Sequence, residues 1–200
     1  MRIVPWWAVL SSACAPVLLI GGWRLAAARQ SGGFNPVRQT ISELAARPAT
    51  EPWIMTVALA GVGVCHMITA AGLAPAALPA RVLLALGGAA TVSLAALPLP
   101  ATGDSPAHAP AHTTAAAIAF TALSLWPAGG LRRGGLPGAA LWRCAAAGLL
   151  GLLGWFGVDY FGQRPGVGRS ERVLAGAQAL WPLAAVLLAP RQRNCRERNR

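Results

Sequence analysis

The sequence predicts an all-α polytopic membrane protein: a six-transmembrane-helix bundle with an interfacial helix in the first loop. Composition is the first reason. Hydrophobic residues make up 55% of the chain and charged residues only 12%, about half the charged fraction of an average soluble domain. The second is the recurrence of uncharged runs, from Ile3 to Trp23, Trp53 to Ala80, Val82 to Ala101, Thr113 to Leu131, Cys144 to Val158 and Val173 to Pro190. The third is where the acids fall. Glu43 and Glu51 lie between the first two runs, Asp104 between the third and fourth, and Asp159 and Glu171 at the junction of the last two. A chain that crosses once per run gathers those three connections on one face and leaves Glu197, in the tail, on the other.

A span needs roughly 17–25 mostly apolar residues, which four runs satisfy outright. The fifth and sixth reach that length when Arg143 and Asp159 extend their polar ends to the interface. The first run reads as a retained helix and not a signal peptide: one arginine precedes it, it is too long, and no small-x-small cleavage pattern follows. Cys14 follows Ser11-Ser12-Ala13, which lacks the large aliphatic residue that opens a lipobox. The four cysteines, Cys14, Cys65, Cys144 and Cys195, are dispersed, with neither metal spacing nor a disulfide framework. Two hundred residues leave no room for a soluble domain, so residues 1–190 form a single six-helix membrane domain and 191–200 a basic cytoplasmic tail.

The connections differ in kind. Pro79-Ala80-Arg81 and the Gly/Arg-rich run 131–138 are plain turns between antiparallel helices. The first loop carries its own helix signal: Asn35 suits an N-cap and Pro36 the first helical position. Val37, Ile41 and Leu44 then form an apolar stripe to rest on the bundle or the interface. Glu43 stands four residues before Arg47, the favoured order for an ion pair, and Pro48 ends the helix. Read plainly, this is a solvated interfacial helix with a surface ion pair.

Orientation rests on arginine, because the chain has no lysine. The side holding both termini carries Arg2, Arg81, Arg132, Arg133, Arg143 and five arginines after Pro190. The other carries Arg24, Arg29, Arg38, Arg47, Arg164, Arg169 and Arg172. The bias places both termini in the cytoplasm of a cell-membrane protein, with the acidic face outward. A net charge of +11 then serves topology and anionic-lipid contact; nucleic acid is excluded as a partner, since no soluble basic surface remains to receive it.

Polar residues in or beside spans are the candidates for chemistry. In the third loop Ser105 can cap a helix beginning at Pro106, which puts Asp104, His108 and His112 four apart. Such a set suits zinc, but Pro110 interrupts the face and a further ligand would have to come from Glu43 or Asp159. A capping role for Asp104 and an Asp–His proton relay are the competing readings, and no metal is assigned. Ser105, His108 and Asp104 within one turn cannot line up as a nucleophilic triad. His66 lies 13 residues into the second run, ~20 Å along a helix, where an intramembrane histidine is either functional or neutral and bonded to a neighbouring helix. Gln178 in the last run has the same two readings. Gly61, Gly87, Gly88, Gly148, Gly151 and Gly154 permit close helix approach, and the eight tryptophans fall mostly near run ends, as in an aromatic belt.

The segment FNPVRQTISELAARP with the following WIMTVAL, the mid-helix His66, GDSPAH leading to AFTALSLWP, and ERVLAGAQALWPL together resemble the bacterial membrane family known as domain of unknown function 998. The resemblance covers almost the whole chain and implies a six-helix membrane fold of unsettled activity. The positions matching its recurrent polar pattern are Asn35, Pro36, Ser42, Glu43, His66, Asp104 and His108; His112 stands outside it. In size and make-up the chain is also similar to small actinobacterial membrane-bound terpene cyclases, through architecture and acid placement and not through a motif.

These features lead to an expected enzyme that applies acid–base chemistry to an apolar prenyl or lipid substrate, a proton-initiated terpene cyclase being the best reading. Such a reaction needs a buried acid, a partner to restore it and aromatic walls to stabilise cations. Glu43, Asp104, His108 and His66 are the expected catalytic residues, with Asp159, beside Trp155 and Tyr160, a further acid. No nucleotide motif and no paired aspartates for magnesium diphosphate are present, so the expected chemistry is protonation of an alkene or epoxide without a cofactor. A proton- or cation-linked transporter is the alternative, although it would favour more polar spans, and a non-enzymatic membrane partner is the third.

Overall fold

The computed structural model describes residues 4–100, 110–129 and 139–189. The elements are α1 (Trp6–Ala28), α2 (Ile41–Leu44), α3 (Trp53–Gly72), α4 (Leu78–Ala96), α5 (Pro110–Leu125) running into a 3-10 turn (Trp126–Gly129), α6 (Ala139–Phe161) and α7 (Val167–Leu188). No strand occurs among the described residues. Among the described residues five helices, α1, α3, α4, α6 and α7, are long and apolar enough to cross a membrane, which marks a multi-pass membrane protein. The predicted fourth span is shorter as a helix: α5 has 16 residues, because Pro127 has no N–H to continue the ladder and the chain tightens into the 3-10 turn at Trp126.

The six long helices form a ring. α3 packs against α1 and α4, α4 against α5, α5 against α6, and α7 closes the circuit between α6 and α1. Glycine sets the closest crossing. A Cβ on Gly63 would meet Gly88 O at 2.5 Å, and one on Gly88 would meet Gly63 O at 2.6 Å. α3 and α4 therefore touch backbone to backbone one turn from His66. Gly87 similarly receives Leu123 and Gly61 receives Leu18, as their sequence positions suggest. Among the described residues Gly148, Gly151 and Gly154 do not serve this purpose; their Cβ positions have nothing within 4 Å, since α6 is the least embraced helix of the ring. At the far end Arg81 donates from Nε and Nη2 to Ala70 O (2.7 Å) and Ala71 O (2.8 Å), closing the C-terminal carbonyls of α3.

The tryptophans divide into two sets. Trp6 and Trp53 are exposed, as a belt requires, but Trp126 and Trp142 are wholly buried. Trp142 meets Trp126 edge-on at 5.4 Å and Trp181 at 6.0 Å. The segments Leu125-Trp126-Pro127 and Leu180-Trp181-Pro182 thus deliver their indoles to one aromatic core at one end of the ring.

The first loop departs from the predicted helix. Asn35 Oδ1 does accept the N–H of Val37 (3.0 Å) and Arg38 (3.2 Å), but the turn stops at Gln39. The carbonyls that should carry it on are diverted: Arg172 Nη1 donates to Pro36 O and Gln39 O, each at 2.7 Å. Helix restarts only at α2, capped by Thr40. Glu43 Oε1 accepts the Thr40 N–H at 2.9 Å while Glu43 N–H donates to Thr40 Oγ1 at 3.3 Å, a reciprocal capping box. Glu43 is therefore committed to its own helix and not paired with Arg47. The ion pair found among the described residues is Arg29–Glu51, at 3.0 Å.

Candidate functional site

The site grows from the way α7 holds the first loop. Gly168 lies so close to the loop that a Cβ there would sit 2.1 Å from Gln39 O. One residue on, Arg169 N–H donates to Val37 O at 3.1 Å. Two further on, Glu171 Oε2 accepts the N–H of Ile41, at the first turn of α2, where orphan donors favour an anion. Arg172 completes the clamp and lies 5.1 Å from the Phe34 ring centroid. Together these contacts press α2 onto the bundle. Ile41 and Leu44 of the predicted stripe are buried, while Val37 stays exposed. Arg47 N–H reaches Leu99 O at 3.1 Å, so the first, third and fifth connections meet at one end.

Beneath α2 lies an interior cavity of about 50 Å³, room for a few waters by the requirement of roughly 10–15 Å³ for each. Its polar wall consists of Ser42, His66, Thr91, Glu171 and Gln178, set among Leu19, Leu59, Val62 and other apolar side chains. Gln178 Nε2 donates to Phe120 O (2.8 Å) and Ser124 Oγ (2.9 Å), tying α7 to α5. His66 is fully buried, and among the described residues its Nδ1 has no hydrogen-bond partner. The structural reading that bonds it to a neighbouring helix is unmet at that nitrogen.

A second space, about 380 Å³, lies between α5 and α6 at the same end, within the size range of small-ligand sites. Its walls include Phe120, Phe156, Tyr160, Leu153 and Leu99, with Thr40, Ser42, His112 and Glu171 as polar points. The rings are packed as a continuous aromatic face: Phe120 to Phe156 is 5.2 Å and Phe156 to Tyr160 is 5.7 Å between centroids. His112 Nδ1 lies 2.6 Å from Leu97 O. Ser42, Phe120 and Glu171 line both this groove and the interior cavity. Glu171 is thus the carboxyl at their junction, and it is only 3% exposed.

Of the expected site residues, His66 is on the wall of the interior cavity. Glu43 faces a different recess, shared with Phe34, Pro48 and Leu99. Asp104 and His108 lie outside the described residues, as does the start of the Asp-x3-His-x3-His run; among the described residues no three His, Cys, Asp or Glu side chains come together as a metal set. Asp159 is buried on α6 and does not line either space. The residue that sequence reasoning passed over is Glu171. Two signals pointed to it: it stands seven residues before Gln178, on the same helix face, and it opens the ERVLAGAQALWPL segment.

The ring of apolar helices around a polar-walled cavity defines a polytopic helical membrane protein with an interior cavity. The family model for a protein of unknown function, DUF998, matches residues 12–188, and the chain belongs to that family. No curated protein and no solved structure matches it.

Proposed function

We propose that the protein is a membrane-embedded enzyme that applies acid–base chemistry to a prenyl or lipid-like chain, in the manner of a proton-initiated terpene cyclase, with Glu171 as the proton donor. The observation that carries this reading is the placement of a buried carboxyl on the wall of an apolar groove faced by Phe120, Phe156 and Tyr160. An apolar chain fills such a groove from the lipid side, a neutral carboxylic acid protonates its double bond, and aromatic faces stabilise the resulting cation. The donor in this reading is Glu171 in place of Glu43, whose oxygen is engaged by Thr40. Asp104 and His108, outside the described residues, are retained as candidate partners of this chemistry.

In this reading α5 is a sixth span. Its 16 helical residues give ~24 Å and the four-residue 3-10 turn ~8 Å more, close to the ~30 Å of hydrocarbon. Both termini then face the cytoplasm, in keeping with the arginine bias. A second reading, a proton path, draws on one observation: His66 and Glu171 share the interior cavity.

The test is a comparison of lipid extracts from membranes holding wild-type protein or Glu171→Gln, combined with photolabelling by a diazirine-bearing polyprenol. The cyclase reading expects an isomeric lipid product that depends on Glu171 and label on α5 and α6 around Phe120 and Phe156. Identical lipid profiles with label spread over the bundle surface would remove it.

A further inference from the structure

We infer that His112 is the base of this groove, taking a proton from the same apolar substrate that Glu171 protonates, so that the reaction is a closed isomerisation. The inference rests on the acid–base reading of the groove and adds its second half. Leu97 O can only accept, so the His112 nitrogen 2.6 Å away, Nδ1, carries the hydrogen. The bond fixes the tautomer of the neutral ring: Nε2, on the opposite edge, bears the lone pair. His112 is itself more than nine-tenths buried and stands on the groove wall with Glu171, Phe120 and Tyr160. An acid and an oriented base therefore border one apolar space.

The chemistry balances without a co-reactant. The Glu171 O–H bond breaks as the alkene π pair forms a new C–H bond, leaving a carbocation on the other alkene carbon. After any ring closure, a C–H bond next to the cation breaks; its electron pair forms the new C=C, and the proton passes to Nε2 of His112. The imidazolium then returns a proton to the Glu171 carboxylate. The product has the mass of the substrate, and both groups end as they began.

The experiment uses the full-length protein in detergent, in D2O, with geranylgeraniol as the probe and mass spectrometry as the readout. Wild type is expected to give isomers of the probe, carrying one deuterium where Glu171 and His112 exchange with solvent between turnovers and none where the substrate proton is recycled directly. His112→Asn keeps an amide N–H placed to donate to Leu97 O but supplies no base, so isomer formation should fall about 100-fold or more, with the cation captured by solvent as a hydrated alcohol. His112→Gln, which puts an amide near the Nε2 position, should behave alike, so that neither result hangs on one variant's folding. Isomers at the wild-type rate from both histidine variants, with Glu171→Gln inactive, would overturn the inference and spare the acid. Wild-type rates in Glu171→Gln, or a wild-type protein inert toward the probe, would overturn the acid–base reading beneath it.

Discussion

The Ile41 N–H donates to Glu171 Oε2 across 130 residues of sequence, and together with the Arg169 and Arg172 contacts it joins the first loop to the last helix over the candidate site. It fixes the carboxyl at the junction of groove and cavity, and it draws the apolar side chain of Ile41 into the cavity wall. A carboxylate oxygen and an amide oxygen both accept this bond, so charge and geometry can be separated by substitution.

Gly168 is expected to be intolerant of a side chain. Gly168→Ala places a methyl 2.1 Å from Gln39 O and must lift the loop from α7, at a cost of about 1–3 kcal/mol as for other overpacking. Gly148→Ala, with nothing within 4 Å of its Cβ, should be neutral or gain up to ~1 kcal/mol of helix propensity. Thermal unfolding in detergent measures both; equal melting temperatures would mean that the loop is not held at this point.

Trp142→Ala is expected to be among the most destabilising changes, about 3–5 kcal/mol for a buried aromatic, because its ring is shared by Trp126 and Trp181. Trp6→Ala, at an exposed position, should change stability by less than ~1 kcal/mol. Chemical denaturation of the two variants side by side distinguishes a tryptophan core from an interfacial belt.

Much of the architecture was legible because hydropathy and charge placement respond to the bilayer, not to packing detail. The apolar runs located the long helices, and the alternation of acids located the connections that meet at one end. Local patterns failed where a distant residue intervened. The Asn35–Pro36 signal starts a turn as expected, but Arg172 takes the Pro36 and Gln39 carbonyls and no window of local sequence contains that arginine. Glu43 was conspicuous as a loop acid, yet Thr40 three residues earlier consumes it in a capping box. His66 was found because a histidine amid apolar residues is costly wherever it lies. Glu171 was missed because it stands at a helix start among arginines, where an acid passes for an ordinary surface residue until the loop folds over it.

Topology gives a direct check on the six-span proposal. In a cysteine-free background, Gly32→Cys and Arg164→Cys should label from the outer side and Leu78→Cys from the cytoplasmic side, since an even number of crossings separates the first two. Opposite accessibility of positions 32 and 164 would mean that α5 does not cross.

The most direct measurement is the turnover of Glu171→Gln and Glu43→Gln with the same lipid substrate, in proteins matched for melting temperature. Removing the transferable proton at Glu171 should lower the rate by roughly 10²–10⁴, the range for loss of a positioned general acid. Glu43→Gln retains an oxygen to cap Thr40 and should stay within about threefold of wild type, on the reasoning that glutamine also completes a capping box. Near-wild-type turnover in Glu171→Gln, or a loss in Glu43→Gln as large as in Glu171→Gln, would contradict the assignment of Glu171 as the acid.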